Sequence, residues 1–289
     1  MKFGLLILAG VLVLVAGWLF YLKNTLSAPE VPVVSASSLI TPEANVAMIF
    51  AHDDDYLAAS GVLTLLAESG ATISYLCVSG YDSHGDTEIR RKEMLDAANI
   101  LGLHDLSHLR FTPHRNEGGY MPMPKDQFDA YYKMDSMKHV IEQFILTRQP
   151  EVIFTLDNEI GGYGHPEHVA VSQLVIDVCR DHLQDPGFGV KAIYQTVFPD
   201  GLERYTTAGL PVYEQAKKVY QVAGMPAPDF AVDVRSQIPK KLRLMRTHAS
   251  QHRNIRKFFP HYHTFPTAIY GWIFDKEYFR KVEVWQAPR

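Results

Sequence analysis

The run His52-Asp53-Asp54-Asp55 stands directly behind the apolar stretch Val46–Ala51. Three consecutive carboxylates repel one another and lose hydration wherever they are partly buried. With a histidine beside them they form a donor set suited to a cation. A second polar cluster follows the apolar stretch Val152–Leu156: Asp157-Asn158-Glu159-Ile160-Gly161-Gly162-Tyr163-Gly164-His165-Pro166-Glu167-His168. Its glycines let the backbone bend closely. His165 and His168 are three apart, which at the start of a helix puts both imidazoles on one face. Zinc takes His and carboxylate ligands, and a catalytic zinc keeps one position for water. One His and one Asp from the first run, with one His from the second, would make such a set. A purely structural reading competes with this one. In it the first run is an Asp-rich helix cap, and the second a glycine turn with capping histidines. A third reading uses Asp53, Asp54 and Asp55 as oxygen ligands to Mg2+ for phosphoryl transfer. That reading leaves His52 and the paired histidines without a task.

The elements around these clusters must bring them together. Strand-like segments Val46–Ala51, Ile73–Ser79, Ser107–Phe111, Glu151–Leu156 and Lys191–Phe198 alternate with helix-like Tyr56–Ser69, Thr87–Leu101, Phe128–Thr147 and His168–Leu183. Continuous apolar runs of this length read as strands covered on both faces. Their alternation with helices predicts βαβ units. Right-handed crossovers then build a Rossmann-like α/β fold, an open, mostly parallel sheet with helices on both faces. Ligands in such sheets bind beyond the carboxyl ends of the strands, where both polar clusters fall. Residues 200–289 are less regular, with one helix expected over Pro239–Gln251. They are read as part of the same domain, supplying a wall of the site.

The 289 residues are 47% apolar and 21% charged, and the formal net charge is −4. That balance, with no long basic stripe, argues against a nucleic-acid partner. Cys77 and Cys179 are too few for a disulfide framework and read as packed thiols. The amino-terminal segment is more informative. Between Lys2 and Lys23 the chain is uncharged for twenty residues, Phe3–Leu22, and a helix of that length covers about 30 Å, the thickness of a bilayer core. Trp18 and Tyr21 suit the membrane interface. A signal peptide has a shorter apolar core and a nearby cleavage site, whereas the nearest small-x-small triplet here is Val34-Ser35-Ala36. Residues 1–23 are therefore read as a single-pass membrane anchor. Residues 24–44, with Pro29, Pro32 and Pro42, read as a tether, and residues 45–289 as the catalytic domain. Lys2 and the amino terminus slightly outweigh Lys23, which favours an extracytoplasmic domain.

The pairing of Ala51-His52-Asp53-Asp54-Asp55 with Gly164-His165-Pro166-Glu167-His168 resembles the PIG-L/LmbE family of zinc-dependent N-deacetylases. Two further stretches agree in order: Glu88–Glu93 followed by Ala97-Ala98 and Leu101-Gly102, and Lys241 followed by His248-Ala249-Ser250-Gln251. The resemblance runs from about residue 45 to about residue 251. It implies that His52, Asp55 and His168 hold Zn2+, that Asp54 is the general base, and that His165 stabilises the oxyanion. It also implies an N-acetylglucosamine-containing substrate, in the form of a glycan or a glycolipid.

The sequence departs from the family pattern at Asp53, which replaces a proline, and at Tyr56, which replaces a glutamate. Glu167 replaces an aspartate, a conservative change expected to matter little for zinc. Arg90, His248 and Gln251 are the candidate substrate-binding residues, and Asp82, His84 and Asp86 lie where they could line the same crevice. The segment His252–His263 is basic and aromatic and reads chiefly as solvated surface. Besides the deacetylase, two alternatives remain: a non-catalytic metal- or carbohydrate-binding module on this fold, and the Mg2+-dependent phosphoryl-transfer enzyme.

Overall fold

Successive side chains of the strand Asn45–Phe50 point into different cores. Val46, Met48 and Phe50 join one apolar cluster, and Ala47 and Ile49 the other. A strand with period two and a core on each face needs apolar residues throughout, which is why the stretch shows no alternation.

The computed structural model describes residues 2–79, 87–108 and 121–283. Its elements in chain order are α1 (Lys2–Leu26), β1 (Val33–Val34), β2 (Asn45–Phe50), α2 (Ser60–Glu68), β3 (Thr72–Cys77), α3 (Thr87–Leu101) and β4 (Asp105–His108). Then follow α4 (Phe128–Tyr131), α5 (Met134–Arg148), β5 (Val152–Leu156), the short turn α6 (Gly161–Gly164), α7 (Pro166–Asp181) and β6 (Ala192–Val197). The chain continues through α8 (Asp200–Thr207), α9 (Pro211–Tyr220), β7 (Phe230–Asp233), α10 (Ile238–Thr247), α11 (His252–Phe258), α12 (Thr267–Ile273) and β8 (Lys276–Val282).

The eight strands form one sheet in the order β1-β7-β8-β6-β5-β2-β3-β4. Pairs from β4 through β6 are all parallel, while β8 runs antiparallel to both β6 and β7. The fold is the expected α/β, mostly parallel sheet with helices on both faces. From β2 the chain winds outward to β3 and β4; from its other neighbour, β5, it winds the opposite way to β6. The loops after β2 and β5 therefore flank the topological switch point, the usual ligand crevice of such sheets.

Three parts differ from the sequence expectation. The helix expected over Phe128–Thr147 is broken, because Tyr132 turns extended (φ −119°, ψ 154°) and buries its ring completely beside Phe128. The region after residue 200 is more regular than its composition suggests, holding five helices and two strands among the described residues. β8 escaped notice because Lys276, Glu277, Arg280 and Lys281 break its apolar pattern.

The third difference lies at residues 27–44, which are no loose tether. Val31, Ala36 and Leu39 are buried, β1 pairs parallel with β7, and the Thr41 backbone N–H donates to Glu151 at 2.7 Å. The final turns of α1 also pack on the domain. Leu22 and Leu26 cluster with Leu202 and Ile273, and Lys23 Nζ pairs with the buried Asp275 at 2.6 Å. The helix is long and apolar enough to cross a membrane by length and composition. Asp82, His84, Asp86 and the end of the expected strand Ser107–Phe111 lie outside the described residues.

Candidate active site

Both polar clusters reach the same crevice. After β2 the chain makes a tight turn and a short 3₁₀ segment, Asp55–Ala59, before α2 begins. That geometry sends the three consecutive carboxylates in three directions. Asp53 turns inward, where it is only 1% exposed, and its carboxylate takes the Arg90 guanidinium through Nε at 3.2 Å and through a terminal nitrogen. Asp54 faces the cavity, 3.8 Å from Arg90. Asp55 turns back, accepting the His52 backbone N–H at 2.8 Å and lying 3.4 Å from His52 Nδ1 and 3.2 Å from His168 Nε2. An oxygen-only triad for Mg2+ is not assembled, since the carboxylates serve separate partners.

The second loop is shaped by one buried residue. Asp157 accepts the backbone N–H groups of Glu159, Ile160, Gly161 and Gly162 at 2.6–3.1 Å. It curls the loop so that Gly161 takes φ +67° and Gly164 φ +100°, the left-handed region that glycine enters freely. A Cβ on Gly161 would also press on His168 Cβ at 2.9 Å. His165 caps α7, its Nδ1 accepting the Glu167 N–H at 3.3 Å, and its ring stacks on His168.

The hydrogen bonds fix how His52 and His168 meet. His52 Nε2 lies 2.9 Å from Glu167 Oε2, and His168 Nδ1 lies 3.0 Å from the Gly161 carbonyl. Both partners only accept, so these two nitrogens carry the protons. The other nitrogens, His52 Nδ1 and His168 Nε2, then face each other as lone pairs at 2.9 Å. Two lone pairs that close need a proton or a metal cation between them. With the nearer oxygens of Asp55, the donor atoms are separated by 2.9, 3.2 and 3.4 Å. Tetrahedral zinc with bonds of about 2.0–2.1 Å separates its ligands by about 3.3 Å. The residues present fit such an ion. His165 also converges on the point, the three histidines offering nitrogens within 4.8 Å of one another. Its Nδ1 is engaged in the helix cap, which makes Asp55 the better third donor.

Electrostatics follow this layout. Burial pushes the Asp54 carboxyl up, and the adjacent Asp55 charge adds to it, bringing it to about 6. Burial would raise Asp55 as well, but His168 and His52 hold it well below the usual carboxylate range. For His52, burial is outweighed by Asp55 and Glu167, and its pKa is raised. Burial drives the His165 pKa well down, with His168 and His52 adding. Burial thus favours the neutral imidazole for His165, and with its Nδ1 accepting in the helix cap its Nε2–H can donate.

The cavity above this point is about 370 Å³, ample for one sugar. His52, Asp54, Asp55, His165 and His168 form its polar floor, and Leu57, Val197, Phe198, Ile255, Phe258 and Phe259 much of its apolar wall. Arg90 and Gln251 reach the lining, Arg90 while bound to Asp53. His248 does not. It is fully buried behind the wall, its Nε2 2.8 Å from the Tyr56 hydroxyl, and burial pushes its pKa down to about 3. Its place in the chain suggested the cavity, but the turn after α10 directs it into the core.

Sequence reasoning missed several residues. Glu167 holds His52 with one oxygen and the Ser79 hydroxyl with the other, at 2.6 Å; its place directly before His168 was the available signal. Tyr163 and Phe258, both in the cavity lining, stack directly on each other with ring centroids 4.2 Å apart, and Thr196 and Asn254 add polar lining. The α11 segment, expected to be solvated, turns its aromatics into the site.

A Rossmann-like sheet whose switch-point crevice gathers histidines and carboxylates able to hold a metal ion is the kind of site that metal-dependent hydrolases use. The family model described as "PIG-L: GlcNAc-PI de-N-acetylase" matches residues 47–179. A 1D-myo-inositol 2-acetamido-2-deoxy-alpha-D-glucopyranoside deacetylase from Acidothermus cellulolyticus is 26% identical over 233 residues, 71% of this chain and 78% of its own. Over residues 47–179 the chain is thus similar to the PIG-L family of deacetylases. Among solved structures, the N,N'-diacetylchitobiose deacetylase of Pyrococcus horikoshii superposes with a TM-score of 0.52 at 19% identity, covering 83% of this chain and 84% of its own. The 4-carboxy-2-hydroxymuconate hydratase GalB of Pseudomonas putida scores the same 0.52 at 18% identity, covering 85% and 97%. The shared fold alone thus does not decide the reaction.

Proposed function

We propose that the protein hydrolyses the N-acetyl group of an N-acetylglucosamine-containing glycan or glycolipid, with Zn2+ held by His52, Asp55 and His168. The observation that carries this reading is the pair of imidazole lone pairs facing each other at 2.9 Å beside a carboxylate. When bound, the metal supplies a water acidic enough to attack at neutral pH and a Lewis acid for the acyl oxygen.

The chain's own residues do the rest. Asp54 faces the cavity next to a ligand without being engaged by one. It takes the proton of the attacking water and returns it to the leaving amine. Its raised pKa favours the second transfer. His165, neutral, donates through Nε2–H to the oxygen that becomes anionic as the acyl carbon turns tetrahedral. Losing one such donor typically costs about a hundred- to a thousandfold in rate. Gln251, Asn254 and Thr196 can meet sugar hydroxyls, and the stacked Tyr163 and Phe258 offer an aromatic wall.

Arg90 acts here mainly by holding the Asp53 turn, and His248 by seating Tyr56. The two departures from the family pattern, Asp53 and Tyr56, are thus spent on buried structural contacts. That speaks against reading them as signs of a non-catalytic module.

Metal analysis of the purified full chain, followed by amine release from a panel of N-acetylglucosamine conjugates, tests the proposal. Zinc binding with metal-dependent amine release is expected. A protein that binds zinc but frees no amine from any conjugate would favour the binding module. We further infer that α1 is a single-pass anchor with the domain on the extracytoplasmic side. Protection of the domain from external protease in sealed inside-out vesicles would agree with that orientation; digestion would reverse it.

A further inference from the structure

The uncharged run of α1 ends inside its contact with the catalytic domain. Lys2 and Lys23 bound twenty apolar residues, just enough for a bilayer core of about 30 Å at about 1.5 Å per residue. A span that uses the whole run places the hydrocarbon boundary near Leu22. Yet Trp18 already meets the rings of His261 and Phe265, Phe20 meets Trp272, and Leu22 packs on Leu202 and Ile273. Trp18 lies four residues, about 6 Å along the axis, inside that boundary. The domain residues touching it share its depth.

The contact is close and specific. Gly201 in α8 lies against the α1 backbone, and a Cβ there would collide with the Thr25 carbonyl oxygen. Lys23 is locked to Asp275, and the Ala28 N–H donates to the Tyr278 hydroxyl at 3.1 Å. The domain is therefore not free to hang away from the helix.

We propose that the face formed by α8, α12 and the residues before α12 is a membrane-contact surface seated in the interfacial layer of the bilayer that α1 enters. This rests on the anchor reading of α1. Its exposed residues suit that layer: Tyr205 is 45% exposed and Trp272 half-buried, and amphipathic aromatics concentrate at this depth. The adjoining α11, packed on α8, presents exposed Arg253, Arg256 and Lys257 and carries no acidic residue, as contact with anionic headgroups favours.

The test uses the full chain in phosphatidylcholine–phosphatidylglycerol vesicles with a nitroxide on Tyr205→Cys. The native thiols Cys77 and Cys179 are buried and leave the label site-specific. His139→Cys, on the exposed side of α5, is the aqueous control. Power-saturation spectra should show the Tyr205→Cys label more accessible to oxygen than to a water-soluble nickel chelate, and the control label the reverse. In a Gly201→Val background, the Tyr205→Cys label should shift toward the control pattern while the protein still floats with vesicles. A vesicle-bound protein whose Tyr205→Cys label matches the control would overturn the proposal. Failure of the full chain to float would instead overturn the anchor reading, and this proposal with it.

Discussion

Replacing Glu167 with glutamine isolates what the buried carboxylate contributes to the metal pocket. Its Oε2 accepts from His52 Nε2 at 2.9 Å, and its Oε1 accepts from Ser79 Oγ at 2.6 Å. Glutamine keeps the shape but has one acceptor and one donor. The Ser79 hydroxyl can rotate to accept from the new amide NH2, so the amide oxygen can stay on His52. His52 then keeps its Nε2–H tautomer and its Nδ1 lone pair, and what is lost is the negative charge behind the ring. Removing such a supporting partner typically weakens metal binding by about 10- to 100-fold, or about 1.4–2.8 kcal/mol. If the amide flips and presents NH2 to His52, the ring proton moves to Nδ1 and the loss exceeds that range. Competition with a chromophoric chelator measures the zinc affinity of both proteins, with thermal unfolding of the metal-free forms as the folding control. Zinc affinity within about twofold of the wild type would refute either His52 as a ligand or Glu167 as its support.

Asp54→Asn is expected to retain zinc while losing about 10²- to 10⁴-fold in turnover; amine release and metal content measured on one preparation check both halves. Asp53→Ala removes the carboxylate that holds the Arg90 guanidinium, only 9% exposed, and should cost about 3–5 kcal/mol in denaturant unfolding. Asp54, 3.8 Å from Arg90, can re-pair with it and bring the value toward the lower end. Asp53→Ala combined with Arg90→Met should recover most of the loss, and failure to recover would point to backbone distortion instead. Zinc affinity should weaken as pH falls. His52 has a raised pKa, is protonated below it, and must release that proton to bind, so affinity drops by about tenfold per pH unit there. Isothermal titration across pH, with proton release read from buffer-dependent enthalpies, checks the sign.

The parallel half of the sheet was legible because β2, β3, β5 and β6 are covered on both faces and so are largely apolar, with Ser74, Thr155, Gln195 and Thr196 as buried exceptions. The two polar clusters were legible because each follows such a strand, and strand ends at a switch point leave little freedom in where the next residues go. What stayed hidden depends on side-chain direction within a turn. Nothing in the string Asp53-Asp54-Asp55 says that the first turns to Arg90, the second to the cavity and the third back to His52. His248 lies close in sequence to Gln251, yet only the turn between α10 and α11 decides that one is core and the other lining. Phe258 and Phe259 sit in a stretch whose charges advertise solvent, and only α11 packing over the crevice turns them inward. The Pro-rich segment 27–44 reads as a tether because two-residue β1 is too short to leave a periodicity.

β8 follows every other described strand in chain order, yet it occupies an interior place in the sheet, between β6 and β7. Its Glu277 accepts the backbone N–H groups of Gly61 and Val62, each at 2.8 Å, in the first turn of α2, and also pairs with Lys241. The helix that backs the first polar loop is thus pinned by a residue about 215 positions further along the chain. Until residues 276–282 arrive, β6 presents an open edge and β1–β7 has no strand joining it to the rest, a state prone to pairing with other chains. Closure of the sheet behind the pocket therefore waits on β8. A chain that lacks β8 leaves the facing edges of β6 and β7 unpaired and the start of α2 without its Glu277 acceptor.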